Sequence, residues 1–189
     1  RVVWPREPVS DEDGNADSLV LSVKYDEGGR SLSALLTGDA EQEQTAEVLL
    51  AGDVGDIDLL KVGHHGSAVS VSAEEARALK PEVSVASAGE GNRYGHPRAE
   101  CVEALESAGS RFLCTIDAGD VVVYPGASGP RVSTQKGSWI TESRGGTGPG
   151  QAAALPRAVE EVVTMTPSDV IALIALVLAA IRLGIEIRK

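Results

Sequence analysis

The sequence predicts an α/β fold, and three observations carry that expectation. A strand–loop–helix unit recurs along the chain, the apolar mass is Val, Leu and Ala with aromatics at only 3%, and Gly is frequent at 21 residues. At 189 residues and 42% hydrophobic content the chain can bury one ordinary core with an appendage, and not two full domains.

The elements follow in order. "SLVLSVKY" (Ser18 to Tyr25) and "SLSALLT" (Ser31 to Thr37) are β-rich runs joined by "DEGG", a hairpin signal. A helix is expected from Glu41 to Ala51, and "IDLLKV" (Ile57 to Val62) is a nearly continuous apolar run that reads as a buried strand. The next helix, Ala73 to Lys80, opens with Ser72 and Glu75 in capping-box spacing and stops at Pro81. The unit then repeats: strand "EVSVASA" (Glu82 to Ala88), loop "GEGNRYGHP", and a helix from Arg98 to Ala108. There Pro97 can take the first helical position and Gly109 the C-terminal cap. Two more strands, "RFLCTI" and "DVVVYP", complete a mixed sheet expected to span Ser18 to Pro125.

Beyond Trp139 the composition turns to "ESRGGTGPGQAAALP", which places domain 1 at 1–139, a Gly/Pro/Ala-rich linker at 140–156 and a helical tail at 157–189. The tail is capped by Ser168 or Asp169 and carries an uncharged run from Val170 to Ile181 before Arg182. A spanning helix needs about 20 apolar residues. Two uses therefore stand: an interfacial, membrane-associated helix with Arg182 and Glu186 at the surface, or one packed on its own domain or on a second copy as a homo-oligomer contact. A net charge of −11 excludes a surface that coats nucleic acid by phosphate neutralisation alone. Cys101 and Cys114 have no CxxC spacing and read as small buried hydrophobes. The chain opens at Arg1 with no signal peptide and has no methionine before Met165, so it is expected to be a fragment of a longer protein.

Polar clusters fall at one topological place. "TGD" (Thr37 to Asp39), "GHHGS" (Gly63 to Ser67) and "NRYGHP" (Asn92 to Pro97) each follow a strand and precede a helix. In α/β sheets ligands bind beyond the carboxyl ends of the strands, so all three histidines and one carboxylate converge on one edge. Asp and His are ligands that suit zinc, and Gly38, Gly63, Gly66 and Gly95 permit the tight turns that bring backbone close to a bound group. Each residue also has an ordinary structural use. Asp39, with Gln42 three residues on, can cap a helix; a single histidine at a strand end is usually a satisfied polar residue; Asn92 and Tyr94 suit a turn. Ser67 lacks a base in any triad pattern and is not read as a nucleophile. The acidic runs "SDEDGNAD" and "AEQEQ" read as solvated faces.

"LLTGD", "DLLKVGHHGS" and "GNRYGHP", in this order and spacing, with "VVWP" and "NADSLVLSVKY" before them, resemble the metallo-β-lactamase-like domain of ComEC-type DNA internalization and competence proteins, over roughly Val2 to Tyr124. The resemblance implies the C-terminal half of an αββα sandwich, with the C-terminal helix separate from it. It also implies two divalent metal ions, commonly zinc or manganese, and hydrolysis of phosphodiesters or other esters. Asp39 matches the metal-bridging aspartate, and one of His64 and His65 matches the late metal ligand; both histidines stay candidates. His96 matches a site-lining histidine, as ligand, proton donor or phosphate contact. The implied catalytic set is thus His64, His65 and His96, with Ser67, Asn92, Tyr94 and His96 placed to meet substrate. DNA is the implied partner, and the extracytoplasmic side of the cell membrane the implied location.

The family draws most of its ligands from an HxHxDH-type motif in its N-terminal half, and no such motif occurs in this sequence. The expectation is that the upstream half of the same protein carries it. The intact parent would then hydrolyse phosphodiesters through metal-activated water. Two other functions fit the same residues: a small-ester, lactone or β-lactam hydrolase of the same fold, or a non-catalytic module for assembly or membrane attachment.

Overall fold

A computed structural model describes residues 1–6 and 14–137. The expected linker and helical tail lie outside the described residues. Strands β1 (Val2–Trp4), β2 (Val20–Glu27), β3 (Arg30–Leu36), β4 (Leu59–Lys61), β5 (Val83–Ala86) and β6 (Arg111–Cys114) form one sheet in that spatial order. The first three run antiparallel, and β3 to β6 run parallel. Helices α1 (Gln42–Leu50), α2 (Ala73–Leu79) and α3 (Ala99–Ser107) are the crossovers between the parallel strands. A short turn of helix, α4 (Thr115–Ala118), leads to a separate hairpin of β7 (Val121–Tyr124) and β8 (Arg131–Thr134). The mixed α/β architecture is therefore as the sequence indicates.

Local chemistry accounts for the main junctions. Gly28 and Gly29 both take positive φ, 60° and 73°, which gives the two-residue β2–β3 loop the twist that a hairpin needs. At α2 the Ser72 hydroxyl accepts from Glu75 N at 3.2 Å, and Ser72 N donates to Glu75 Oε2 at 2.7 Å. Burial pushes the Glu75 carboxyl up, and the bonds to Ser72 hold it back. Ser72→Ala removes this cap and is expected to cost about 1 kcal/mol of stability, read as a shift in the urea midpoint at constant slope.

Because the strand order is monotonic and crossovers are right-handed, all three helices lie on one face of the sheet. Val48, Ala76, Leu79, Cys101 and Leu105 from the helices pack there on Leu35, Leu60, Val62 and Ala86. Both cysteines are free and buried, as read. On the opposite face Val121, Val123 and Val132 of the hairpin cover Leu59, Val83, Val85 and Leu113, at the β4–β6 end. Ala34 of β3 is also buried on that face, whereas the β1–β2 part has no such cover among the described residues. Register carries Leu59 through Ala34 to Val23, and Leu36 through Leu21 to Val2. Val2, Val23 and Tyr25 on this face are 51%, 42% and 43% exposed.

Several details correct the sequence reading. The α1 cap is Glu41, whose N donates to Gln44 Oε1 at 3.0 Å, so Asp39 is not the cap. The "AEQEQ" run is solvated only in part, since Ala40 and Gln44 are buried, Glu41 and Gln42 half-buried and Glu43 exposed. Pro97 precedes the α3 cap, Arg98, instead of occupying the first turn. Thr115 and Ile116 leave the strand for α4, where the Thr115 hydroxyl bonds Ala88 N and O at 3.0 Å.

Candidate functional site

Three loops meet at the carboxyl edge of the parallel strands. The first follows β3: Thr37 is buried and its hydroxyl donates to Lys61 O at 2.7 Å, while Asp39 N donates to Ser18 Oγ at 3.1 Å. These bonds fix the Asp39 backbone and leave its carboxylate half-exposed at the edge. The second loop follows β4, where His64 (φ 44°, ψ 42°) and His65 (φ 57°, ψ 17°) are both left-handed. That conformation costs roughly 1–2 kcal/mol for each non-glycine residue, so two in succession must be held by their surroundings. Backbone bonds do so: His64 N to Gly38 O (3.1 Å), Gln42 N to Val69 O (2.9 Å) and Arg98 N to Gly66 O (2.8 Å) join this loop to the other two. The flanking glycines are required by contact. A Cβ on Gly63 would lie 2.4 Å from Ala40 O, and one on Gly66 would lie 2.8 Å from Pro97 Cβ.

The third loop, after β5, is organised by Asn92. Its amide donates to Gly89 O (2.9 Å) and His96 O (2.7 Å), and its Oδ1 accepts from His96 N (2.9 Å). This clamp brings His96 within 5.7 Å of the His64 ring, and Tyr94 lies nearly parallel to His96 at 5.6 Å and 13°. Burial first, then the neighbouring His64, His65 and Arg98, hold the His96 imidazole below its ordinary range. Its Nδ1 is buried with no hydrogen-bond partner among the described residues. Ser67 is buried behind the second loop, and its hydroxyl faces Val69 N instead of the edge.

The two adjacent histidines have different surroundings. His65 Nδ1 lies 2.8 Å from Ser87 O; a carbonyl only accepts, so Nδ1 carries the proton and Nε2 presents a lone pair. That Nε2 faces Asp39 Oδ1 at 3.6 Å, beyond hydrogen-bond range. A lone pair and a carboxylate oxygen this close repel unless a proton or a cation lies between them. Two ligands each about 2.1 Å from one ion and 3.6 Å apart subtend about 120°, near tetrahedral. The pair therefore fits a metal, and the histidine's other nitrogen is tied to a carbonyl as metal-bound histidines usually are. His64 instead donates Nδ1–H to Glu41 Oε1 at 3.0 Å, and Asn15 Nδ2 donates to the same oxygen at 3.1 Å. Among the described residues no group of three or more His, Cys, Asp or Glu is placed to hold a metal.

Two neighbours escaped the sequence reading. Glu41 orients His64, and the signal for it was the Glu41/Gln44 capping-box spacing, hidden inside the acidic run. Lys61, the last residue of β4, has its ammonium pKa lowered by burial, against the opposing pull of Asp39. A cavity of about 420 Å³ opens beside the site, lined by His65, Ser87, Ala88, Asn92, Tyr94, His96 and neighbours.

No family model matches the chain. It is 39% identical over 107 residues to ComE operon protein 3 of Bacillus subtilis, covering 57% of this chain and 13% of that protein. It is 36% identical over 123 residues to Recombination protein 2 of Haemophilus influenzae, covering 65% and 15% respectively. A third relative, Competence protein ComA of Neisseria gonorrhoeae, is 37% identical over 106 residues, covering 54% of the chain and 14% of that protein. The chain thus spans between 13% and 15% of the length of these relatives, and more than half of it is similar to each of them.

Proposed function

We propose that this chain is a metal-dependent hydrolase segment of a competence, DNA-uptake protein, acting on phosphodiesters. The observation that carries the reading is the Asp39–His65 pair, with its Nε2 lone pair and carboxylate 3.6 Å apart. Asp39 and His65 would hold the metal, with further ligands supplied from outside the described residues. When bound, a pair of zinc or manganese ions supplies an activated water and charge neutralisation at the phosphoryl oxygens. Glu41 orients His64, and His64 and His96 line the space where a leaving oxygen would need a proton. The β1–β2 part of that face, where Val2, Val23 and Tyr25 have no cover among the described residues, supports the fold part of the reading. A sandwich needs a second sheet there, and the β7–β8 hairpin already covers the neighbouring half. In this reading the second sheet belongs to the same protein, which sits at the outer face of the cell membrane; among the described residues no helix is long and apolar enough to cross a membrane.

One observation favours a second reading. No Lys or Arg lines the cavity beside the site, which suits a small ester or lactone better than a polyanion. The experiment is to load the full-length protein with zinc or manganese and to assay single-stranded DNA, a generic phosphodiester and a lactone side by side. Cleavage of DNA abolished by chelation supports the proposal. Turnover of the lactone alone transfers the site to the second reading, and no metal-dependent turnover of any of them removes the hydrolase reading.

A further inference from the structure

We propose that the groove between α1 and α2 is a docking site for a basic amphipathic helix of a separate partner. The inference does not depend on the hydrolase reading, because the groove shares no residue with the cavity beside the histidines. It has a volume of about 370 Å³ and is walled by Ala46, Leu49 and Leu50 of α1 and by Glu74, Glu75 and Ala78 of α2. Leu49 packs partly on the core and forms the apolar floor. Leu50 stands out in solvent at the rim, 81% exposed, more than any other large apolar side chain among the described residues.

Backbone chemistry decides the form of the occupant. Both walls are helices, whose N–H and C=O groups are satisfied along their own axes, so the groove has no backbone to offer an extended segment. A helix satisfies its own backbone and can set an apolar ridge between two others at the usual spacing of about 8–10 Å. With nine residues α1 is about 13 Å long, so the contact spans two to three turns and needs apolar residues at i, i+3 or i+4, and i+7. Charge decides its sign. On the three helices Glu43, Glu47, Glu74, Glu100, Glu103 and Glu106 are all exposed, and Arg77 is their one basic side chain. The Glu75 carboxylate is turned back to accept from Ser72 N, which leaves Glu74 as the acid at the groove itself. An acidic surface around an apolar floor rejects a polyanion and an anionic lipid surface. A second copy would set the same acids against one another across a two-fold axis. A helix with Lys or Arg beside its apolar ridge meets neither cost.

The test uses the full-length protein and a fluorescent helical peptide with leucines along one face and Lys and Ala elsewhere. Binding, read by anisotropy, should weaken as salt is raised and be lost when the leucines are scattered around the helix. Leu50→Asp should weaken it at least about 10-fold at an unchanged urea midpoint, since burying one leucine is worth that factor or more. Glu74→Lys should weaken the lysine peptide and strengthen one carrying Glu in place of Lys. If the scattered peptide binds as well, or if Leu50→Asp binds as the wild type does, the groove is overturned. Leu50→Cys should react with a polar maleimide, both native cysteines being buried, and the peptide should protect it. A thiol there that fails to react without peptide would mean that another part of the same protein covers the groove, which overturns a separate partner.

Discussion

On the proposed hydrolase reading, Asp39→Asn and His65→Gln are each expected to weaken zinc binding by the full-length protein by at least about 100-fold, and to lower its hydrolytic rate by about 10³-fold. The bound comes from comparison: losing a group that merely orients a ligand typically costs 10- to 100-fold in affinity, and these two would be ligands. The rate loss corresponds to several kcal/mol of charge stabilisation at the reacting oxygens. Asparagine keeps the shape of Asp39 and its backbone bond to Ser18 but removes the charge that faces Nε2. His64→Gln is expected to spare zinc affinity and to depress turnover, because His64 Nδ1 is engaged by Glu41. Calorimetric titration with zinc and manganese, followed by initial rates, separates the two. If His64→Gln lost the metal and His65→Gln kept it, the assignment of ligand and proton-transfer group would be reversed. The 189-residue chain alone should bind either ion far more weakly, since the described residues offer no third ligand.

The second large effect is structural. Gly66→Ala is expected to destabilise the domain by about 3 kcal/mol and to abolish metal binding with it. Its Cβ would lie 2.8 Å from Pro97 Cβ and 3.2 Å from Pro97 Cα, and the residue sits at φ 84°. Overpacking costs about 1–3 kcal/mol and the left-handed conformation about 1–2 more. Neither neighbour can yield easily, because Gly66 O also accepts from Arg98 N at 2.8 Å, at the start of α3. Gly52 is the control: it has φ 69° but nothing within 4 Å of an added Cβ. Gly52→Ala should therefore cost only the backbone term, about 1 kcal/mol, and leave zinc affinity where it was. Urea unfolding and calorimetry on both variants decide the matter. Equal losses in the two would mean that contact with Pro97 is unimportant.

Much of the fold was legible because local chemistry and tertiary structure agree. Gly28–Gly29 could only be a hairpin turn, and Ser72 with Glu75 could only open a helix. Three polar clusters at strand ends had to share an edge once their strands were parallel. What stayed hidden depends on contacts far apart in sequence. Strands β1 and β8 are three and four residues long and exist through their partners, Leu21 with Val2 and Val121 with Thr134. Asp39 carried a plausible capping pattern, and only the competing Glu41–Gln44 bond removes it. The different surroundings of His64 and His65 were unreadable for a similar reason. Two consecutive left-handed residues turn their rings to different neighbours, and those neighbours, Glu41 and Ser87, come from other loops.

The parallel order of β3, β4 and β5 also governs when the site can exist during folding. Asp39, His65 and His96 are each separated by a complete crossover helix, so no local hairpin or single βα unit holds two of them together. Loop closure over such distances is slow compared with helix or hairpin formation, and it is rewarded only when neighbouring strands have paired. A nascent chain that has formed β2, β3 and α1 carries Asp39 at a sheet end with nothing opposite it. The strained histidine loop is held from both sides by Gly38 and Arg98, so it should close last. On the proposed reading, an ion held there would be captured by a nearly finished sheet and would not nucleate one, so its affinity would add to the stability of the last step and slow unfolding more than it speeds folding.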